Sequence, residues 1–407
     1  MKILHVLSQH PAATGSGISV RNIIAQAAAA GHDNFLVAGV SDDGPIALQG
    51  LDSTRSHFVR FDSEKLDFAI PGMSDVMPYA SSRFRDLSDA QLDSYEQAFA
   101  QAVQRAADVF APDIVHSHHL WLATAISRRV LPTKALVTSC HSTDLRQLVS
   151  CPHLRQRVLP WCRQVDRVLA LSTSQAGRIT DLYQIDSGRI EVVGGGFDDG
   201  LFHYGEKTAP PPVHLLYAGK LSLAKGVDWL LETYGALEDD SLHLHLAGSG
   251  SGQEAEACLA LAARLGDRVT VHGRLEQAEL ARLMRHCHLF VLPSFYEGLP
   301  LVLLEALSSG CRLIAGDLPG CRELLAAVDS DLVSLVNLPP MQGIDRPDPG
   351  DWPVLRSRLA LAIVAMADRS RVTPSPAAER CRSSIAPFSW SAVFQRMEKV
   401  YARALAG

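Results

Sequence analysis

Short runs of branched apolar residues alternate along the chain with longer stretches whose apolar positions recur every three to four residues, as where Ile3-Leu4-His5-Val6-Leu7 is followed by residues 19–30. Brief apolar runs suit strands buried on both faces, and the longer pattern suits covering helices. The alternation therefore predicts a parallel sheet between two helical layers. In the first half, strands are expected at 3–7, 35–38, 114–116, 135–139, 168–171 and 190–193, with helices at 19–30 and 90–109. Residues 204–212 end in Pro210-Pro211-Pro212, which removes three amide donors and fixes φ, so neither a helix nor a central strand continues there. An interdomain linker is expected at that point. The alternation restarts at 215–218, 243–246, 268–271, 289–292 and 312–315. The expected fold is thus α/β, with two doubly wound domains, 1–205 and 213–385, facing a cleft. Residues 62–86 show no clear period and read as a long loop, and 345–351 as a Pro/Gly/Asp-rich loop before a helix at 352–367. Near the end, Val393, Phe394, Met397, Val400 and Tyr401 recur at helical spacing, as in a packing helix.

A chain of 407 residues, at roughly 100–200 residues per domain, agrees with two to three domains. The 38 Lys and Arg against 44 Asp and Glu leave a net charge of −6, so no global basic field attracts nucleic acid, and an anionic ligand must be held locally. The apolar run at residues 3–7 is too short for a secretory signal and no apolar stretch reaches about 18 residues, which reads as a soluble, cytoplasmic chain. Peripheral membrane contact is left open. The eight cysteines include no Cys-x2-Cys pair, which argues against a zinc ribbon and a disulfide framework; reduced, mostly buried thiols are expected.

Several strand ends carry candidate chemistry. Pro293-Ser294-Phe295-Tyr296-Glu297-Gly298-Leu299-Pro300 joins a strand to a helix that carries Glu305, with Pro300 suited to the first helical turn. Free amides at such a helix start can bind phosphate or sugar hydroxyls, and the two carboxylates add acceptors; a plain cap and a surface ion pair are the structural alternative. Gly219-Lys220 and Lys225-Gly226 put two ammonium groups on one loop, where they can converge on a diphosphate or remain solvated. Gly248 and Gly250 permit close approach of backbone to a ligand. The Gly15-Ser16-Gly17 loop opens the first helix, but Val20 stands where a dinucleotide fingerprint needs its third glycine, and no acid ends the strand at 35–38, so a nicotinamide oxidoreductase is disfavoured. His116-Ser117-His118-His119 and Cys140-His141-Ser142 follow adjacent strands at the edge where parallel sheets bind ligands. Their spacing is irregular for a chelate, and no metal is expected.

Together these motifs resemble the family 4 retaining nucleotide-sugar glycosyltransferases, whose two Rossmann-like domains form the GT-B architecture. The resemblance covers nearly the whole chain and is most specific over 219–310. The family's Glu-x7-Glu motif is matched by Glu297 and Glu305, and its basic pair by Lys220 and Lys225, with Lys220 where arginine is commoner. Gly248 and Gly250 match its Gly-x-Gly loop, Gly273-Arg274 a later segment, Gly15 and Gly17 the N-terminal loop, and His141 the active-site histidine. Gly194-Gly195-Gly196-Phe197-Asp198 departs from the usual Pro-Asn-Gly-Val-Asp run, with only Gly196 and Asp198 in place. The 116–121 and 15–17 runs are similar to members that start low-molecular-weight thiol biosynthesis.

The resemblance implies transfer of a sugar, with retention, from a nucleotide-diphosphate donor, UDP favoured, to a hydroxyl of a small-molecule, lipid-linked or glycan acceptor. It implies Glu305 on the ribose, Glu297 on the sugar, Lys220 and Lys225 on the departing diphosphate, and the free amides of the turn Gly298 to Pro300 and of 15–17 beside them. His141 would lie near the anomeric carbon, with His118, His119 and Ser142 on the acceptor side. No metal and no cofactor other than the sugar nucleotide as substrate is implied, and 388–407 would cross back onto the N-terminal domain. A GT-B sugar-nucleotide epimerase, or a non-catalytic sugar-nucleotide binding module, would share the cleft.

Overall fold

The computed structural model describes residues 1–11, 14–41, 44, 46–75, 77–342 and 346–407; Val76 of the expected loop at 62–86 and Asp345 of that at 345–351 lie outside the described residues. It contains two compact units, Met1–Gly196 with Trp390–Gly407, and Phe197–Ser389.

The first unit holds a seven-stranded sheet of β1 (Lys2–Leu7), β2 (Asp33–Val40), β3 (Ser56–Arg60), β4 (Ile114–His118), β5 (Ala135–Ser139), β6 (Arg167–Ala170) and β7 (Ile190–Val192), in the order β3-β2-β1-β4-β5-β6-β7. All its pairings are parallel. The order reverses between β1 and β4, and the register sets Leu7 beside His118 and His118 beside Ser139. The carboxyl ends of β1, β4 and β5 therefore meet at the switch point, where open α/β sheets bind ligands. The helix Asp89–Phe110 shows how sequence builds the covering layer. Ser88 and Gln91 form a capping box, and Leu92, Tyr95, Phe99, Val103, Ala106 and Phe110 recur on its buried face. The last helix, Trp390–Ala406, buries Trp390, Val393, Phe394, Met397, Val400 and Tyr401 against Ile3, Ile23, Ile114, Val137 and Leu169, packing back on this unit. Gly196 lies against the Trp390 ring.

The second unit holds a six-stranded parallel sheet of β8 (Val213–Ala218), β9 (Leu242–Ala247), β10 (Val269–Gly273), β11 (Leu289–Leu292), β12 (Arg312–Gly316) and β13 (Val333–Val336), in the order β10-β9-β8-β11-β12-β13. Its switch point lies between β8 and β11.

Every strand expected from the sequence is present, within a few residues. β3 and β13 were not expected; both are edge strands of four or five residues, and β3 has only Val59 fully buried. The expected linker at 204–212 is instead built into the second unit. Lys207 is buried, and its Nζ donates to the carbonyls of Met284 (2.7 Å), Arg285 (3.0 Å) and Ser309 (2.7 Å). Tyr204 Oη donates to the Pro376 carbonyl at 2.8 Å. The prolines do prevent regular structure, but the polar anchors Tyr204 and Lys207 ahead of them fix the segment. The stretch at 62–86 is likewise packed: Phe68, Ile70, Met73 and Phe84 are buried in the first core, and Pro71–Gly72 pairs with Ser82–Arg83. All eight cysteines are buried and unpaired. No helix among the described residues is long and apolar enough to cross a membrane.

Candidate functional site

In the second unit, three loops leave the carboxyl ends of β8, β9 and β11 and interlock through backbone contacts. Gly219 N donates to Ala247 O (3.0 Å), Leu221 N to Ser249 O (3.0 Å), Gly248 N to Gly273 O (2.7 Å) and Phe295 N to Ala224 O (3.0 Å). Glycine is required at two of these crossings. At Gly248 (φ +144°) a Cβ would stand 1.8 Å from Gly219 O, and at Gly226 (φ +65°) it would stand 2.1 Å from Pro293 O. This close packing carries Lys225 to the turn after β11. Its Nζ donates to Glu297 Oε1 at 2.8 Å, and Ser294 Oγ donates to the same oxygen at 2.7 Å.

The rest of the predicted set lies around this pair or along the same strand ends. Lys220 is exposed, with its carbonyl held by Tyr217 Oη at 2.7 Å. Gly250 and Arg274 are exposed, and Gly273 takes the Gly248 amide. Pro300 is buried and precedes the helix rather than opening it: the helix is Val302–Ser308, with Leu301 as its N-cap. Among the described residues the amides of Gly298 and Leu299 donate to nothing. Glu305 projects from that helix, half-buried and with no hydrogen-bonded side-chain partner among the described residues. Its burial, and then the Asp198 carboxylate, push its pKa up to about 7.

In the first unit the histidines gather around an acid that the sequence reading passed over. Asp144, in the first turn of the helix Thr143–Ser150, is fully buried. Its Oδ1 lies 2.5 Å from His119 Nδ1, and its Oδ2 accepts from the amides of Leu120 (3.0 Å) and His141 (2.9 Å). Burial alone would raise its pKa, but His119, the His141 ring and the His141 amide hold it near 2. The readable signal was an acid three residues after His141, at the start of a helix. The His119 and His141 rings lie 4.8 Å apart, and the Nε2 atoms of both are buried without a partner. Ser142, at φ +66°, accepts from Gln175 Nε2 at 2.8 Å.

Two expectations change. His118 is completely buried between His5 and His116, with ring centroids at 5.7 and 4.1 Å, so it does not face an acceptor in this conformation. Gly15 and Gly17 stand in the first turn of the helix Gly15–Ala29 rather than in a loop before it, because Thr14 caps it by accepting from Gly17 N at 2.9 Å. The cap takes Gly17's amide, so it is not available to a ligand.

The buried histidines predict an acid-labile first unit. Burial lowers the pKa of His5 to about 4 and of His141 to about 3, and drives His116 and His118 well below the ordinary value. Unfolding lets each take up a proton near pH 6.5, so this stability is complete above that pH and is lost as pH falls. Each such proton corresponds to at most about 1.4 kcal/mol per pH unit below 6.5. Calorimetry at pH 7.5, 6.5 and 5.5 should show the first unit's melting temperature dropping steeply over the lower interval; a flat profile would rule out neutral buried imidazoles.

Residues 13–201 match the family model described as Glycosyltransferase Family 4, and residues 206–333 match that described as Glycosyl transferases group 1. The D-inositol 3-phosphate glycosyltransferase of Streptosporangium roseum is 28% identical over 378 residues, spanning 83% of this chain and 82% of its own. A glycogen synthase of Mycobacterium tuberculosis is 28% identical over 223 residues, 52% of this chain and 54% of its own. Among solved structures, the sucrose-phosphate synthase of Thermosynechococcus elongatus superposes with a TM-score of 0.70 at 18% identity over all of both chains. Anabaena HepE, solved with UDP and glucose, superposes with a TM-score of 0.66 at 17% identity over 99% of this chain and 100% of its own. These structures share the fold of this chain.

Proposed function

Because the chain belongs to the family 4 glycosyltransferases of GT-B fold, we propose that it transfers a sugar with retention from a nucleotide-diphosphate donor, UDP favoured, to an acceptor hydroxyl without using a metal. The observation that carries this reading is the Lys225–Glu297 pair, set by interlocked loops beside the unbonded amides of Gly298 and Leu299. A fixed cation and fixed amides can stabilise charge that develops on a departing diphosphate, the work a divalent ion does elsewhere. An ammonium group has three donors, so Lys225 can keep Glu297 while contacting phosphate. Lys220, exposed on the same loop, adds a second charge. The structure of HepE with UDP supports uridine as the base.

In this reading the acceptor oxygen attacks the anomeric carbon from the face the diphosphate is leaving. The bond from that carbon to the diphosphate oxygen breaks, and the acceptor's proton passes to the departing phosphate. Glu305 accepts from the ribose hydroxyls, Glu297 from the sugar. His141 is neutral at physiological pH and meets the sugar or acceptor through its unpartnered Nε2. The name of the Streptosporangium relative favours a small phosphorylated polyol as acceptor over a lipid or glycan. Incubation with UDP-hexoses and a panel of polyol phosphates in excess chelator should give a product with the donor's anomeric configuration by NMR. An inverted product, or activity abolished by the chelator, would contradict this reading; an isomerised donor would point to an epimerase.

Glu305 gives donor binding a pH dependence. With a pKa near 7 in the free protein, it must be ionised to accept two ribose hydroxyls, so binding should tighten about tenfold from pH 6 to pH 8. A UDP-sugar has no phosphate ionisation in that range, so the dependence arises from the protein, and the Glu305 variant separates this group from Asp228, which burial raises to about 6. Calorimetric titration should show this dependence, and Glu305→Gln should flatten it; an equally steep profile in the variant would remove Glu305 from the ribose.

A further inference from the structure

The second unit carries a histidine cluster that the transfer site does not use. Register pairs His214 of β8 with His243 of β9, and His245 with Thr270 of β10, so His214, His243 and His245 share one face of the sheet. His245 Nδ1 lies 2.9 Å from His272 Nε2, and His245 Nε2 lies 3.0 Å from His214 Nδ1. His286, exposed at the end of the helix Gln277–His286, sets its ring centroid 4.2 Å from that of His214. One ring nitrogen each from His214, His245 and His286 lies within 4.8 Å of the other two.

We propose that His214, His245 and His286 bind a divalent transition-metal ion of the zinc or nickel class on this face of the second sheet. Nitrogens bound at about 2.0–2.1 Å around a tetrahedral ion stand roughly 3.3 Å apart, close to the His214–His245 spacing. His286 is exposed, so rotation of its side chain closes the remaining gap and leaves the fourth position to water. Imidazole sets of this kind suit zinc, copper and nickel, not magnesium or calcium. The surroundings orient the ligands as outer partners of metal-bound histidines do. His272 engages Nδ1 of His245 and so turns its Nε2 toward the ion. His288 accepts from the His214 amide at 3.0 Å, lies 2.9 Å from the Thr208 carbonyl, and stacks on the His214 ring. The buried Lys207 ammonium opposes an added cation at His286, which weakens the site without removing a ligand.

The other histidine triad does not compete. In the first unit, His5 Nε2 is held by Asn34, and His116 is engaged on both nitrogens, by Ser139 and Tyr401, inside the core. His214 is the second residue of β8, about 13 Å along the strand from Ala218, where the transfer loops begin.

The test uses tag-free, metal-stripped protein. Cobalt(II) absorption and zinc calorimetry should give one ion per chain, and zinc should raise the second unit's melting temperature. Both signals should vanish in His286→Ala and His214→Gln. UDP stabilisation of His286→Ala, unchanged from the parent, would show that the variant is folded and keep this test separate from that of the transferase reading. Absence of one-to-one binding, or binding that persists in both variants, would overturn the site.

Discussion

Replacing Lys225 by alanine should lower kcat by about 10²–10³-fold while changing KM far less. Removing one preorganised donor to developing charge costs roughly 2.7–4 kcal/mol in the transition state, and each 1.36 kcal/mol is about tenfold in rate. The competing explanation is loss of the Lys225–Glu297 ion pair, whose side chains are 30% and 13% exposed. An exposed or half-exposed pair of this kind contributes about 0–1 kcal/mol to stability, too little to produce the kinetic effect through unfolding. The two contributions separate cleanly in the measurement. Steady-state kinetics with varied donor should show the fall in kcat, and urea unfolding should show the variant within about 1 kcal/mol of the parent. If KM rises and kcat holds, Lys225 binds the ground state and transition state alike and is no transition-state stabiliser. Lys225→Arg keeps charge on a longer, planar group and should recover only part of the rate.

Asp144→Ala should be the most destabilising single change in the first unit. The fully buried carboxylate takes four partners, the fourth being Thr143 Oγ1 at 3.5 Å, and its loss strands the His119 ring nitrogen and the amides of Leu120 and His141. Breaking a buried pair from one side costs roughly 3–5 kcal/mol, a large share of the 5–15 kcal/mol that holds a typical domain together. Chemical denaturation of the first unit should show that loss; less than about 1 kcal/mol would mean the network carries little stability. Asp144→Asn keeps one acceptor oxygen but turns an amide N–H toward a donor, so it should recover only part. The same variants should reduce turnover, since the amide of His141 loses the partner that orients its ring.

Periodicity carried most of the fold into view because central parallel strands are apolar on both faces, and residues 3–7, 289–292 and 312–315 read plainly for that reason. Edge strands lack that signature: β3 buries one side chain fully, and its alternation is lost among half-buried neighbours. Pro210-Pro211-Pro212 was correctly read as breaking regular structure, but periodicity is blind to Lys207, whose three carbonyl contacts tie the segment to the second unit. In the second unit's site, Glu297, Lys225 and Gly248 were legible because close loop crossings admit few residue types. Ser294 was not, since a serine in a turn has many ordinary uses. The first unit's histidines were legible as a group but not in their roles. Burial separates His118 from His141, and only tertiary structure brings Asp144 beneath His119.

The central claim is that the second unit's strand-end loops hold a nucleotide diphosphate. Thermal melting with UDP, GDP, ADP and CDP tests it most directly, because a ligand that binds only the folded state must raise stability by mass action, by about 2.7 kcal/mol at a hundred times Kd. UDP should raise the melting temperature by several degrees, and the shift should disappear in Glu305→Ala and shrink in Lys225→Ala. A chain that no diphosphate stabilises, or an undiminished shift in both variants, would contradict the assignment of this site.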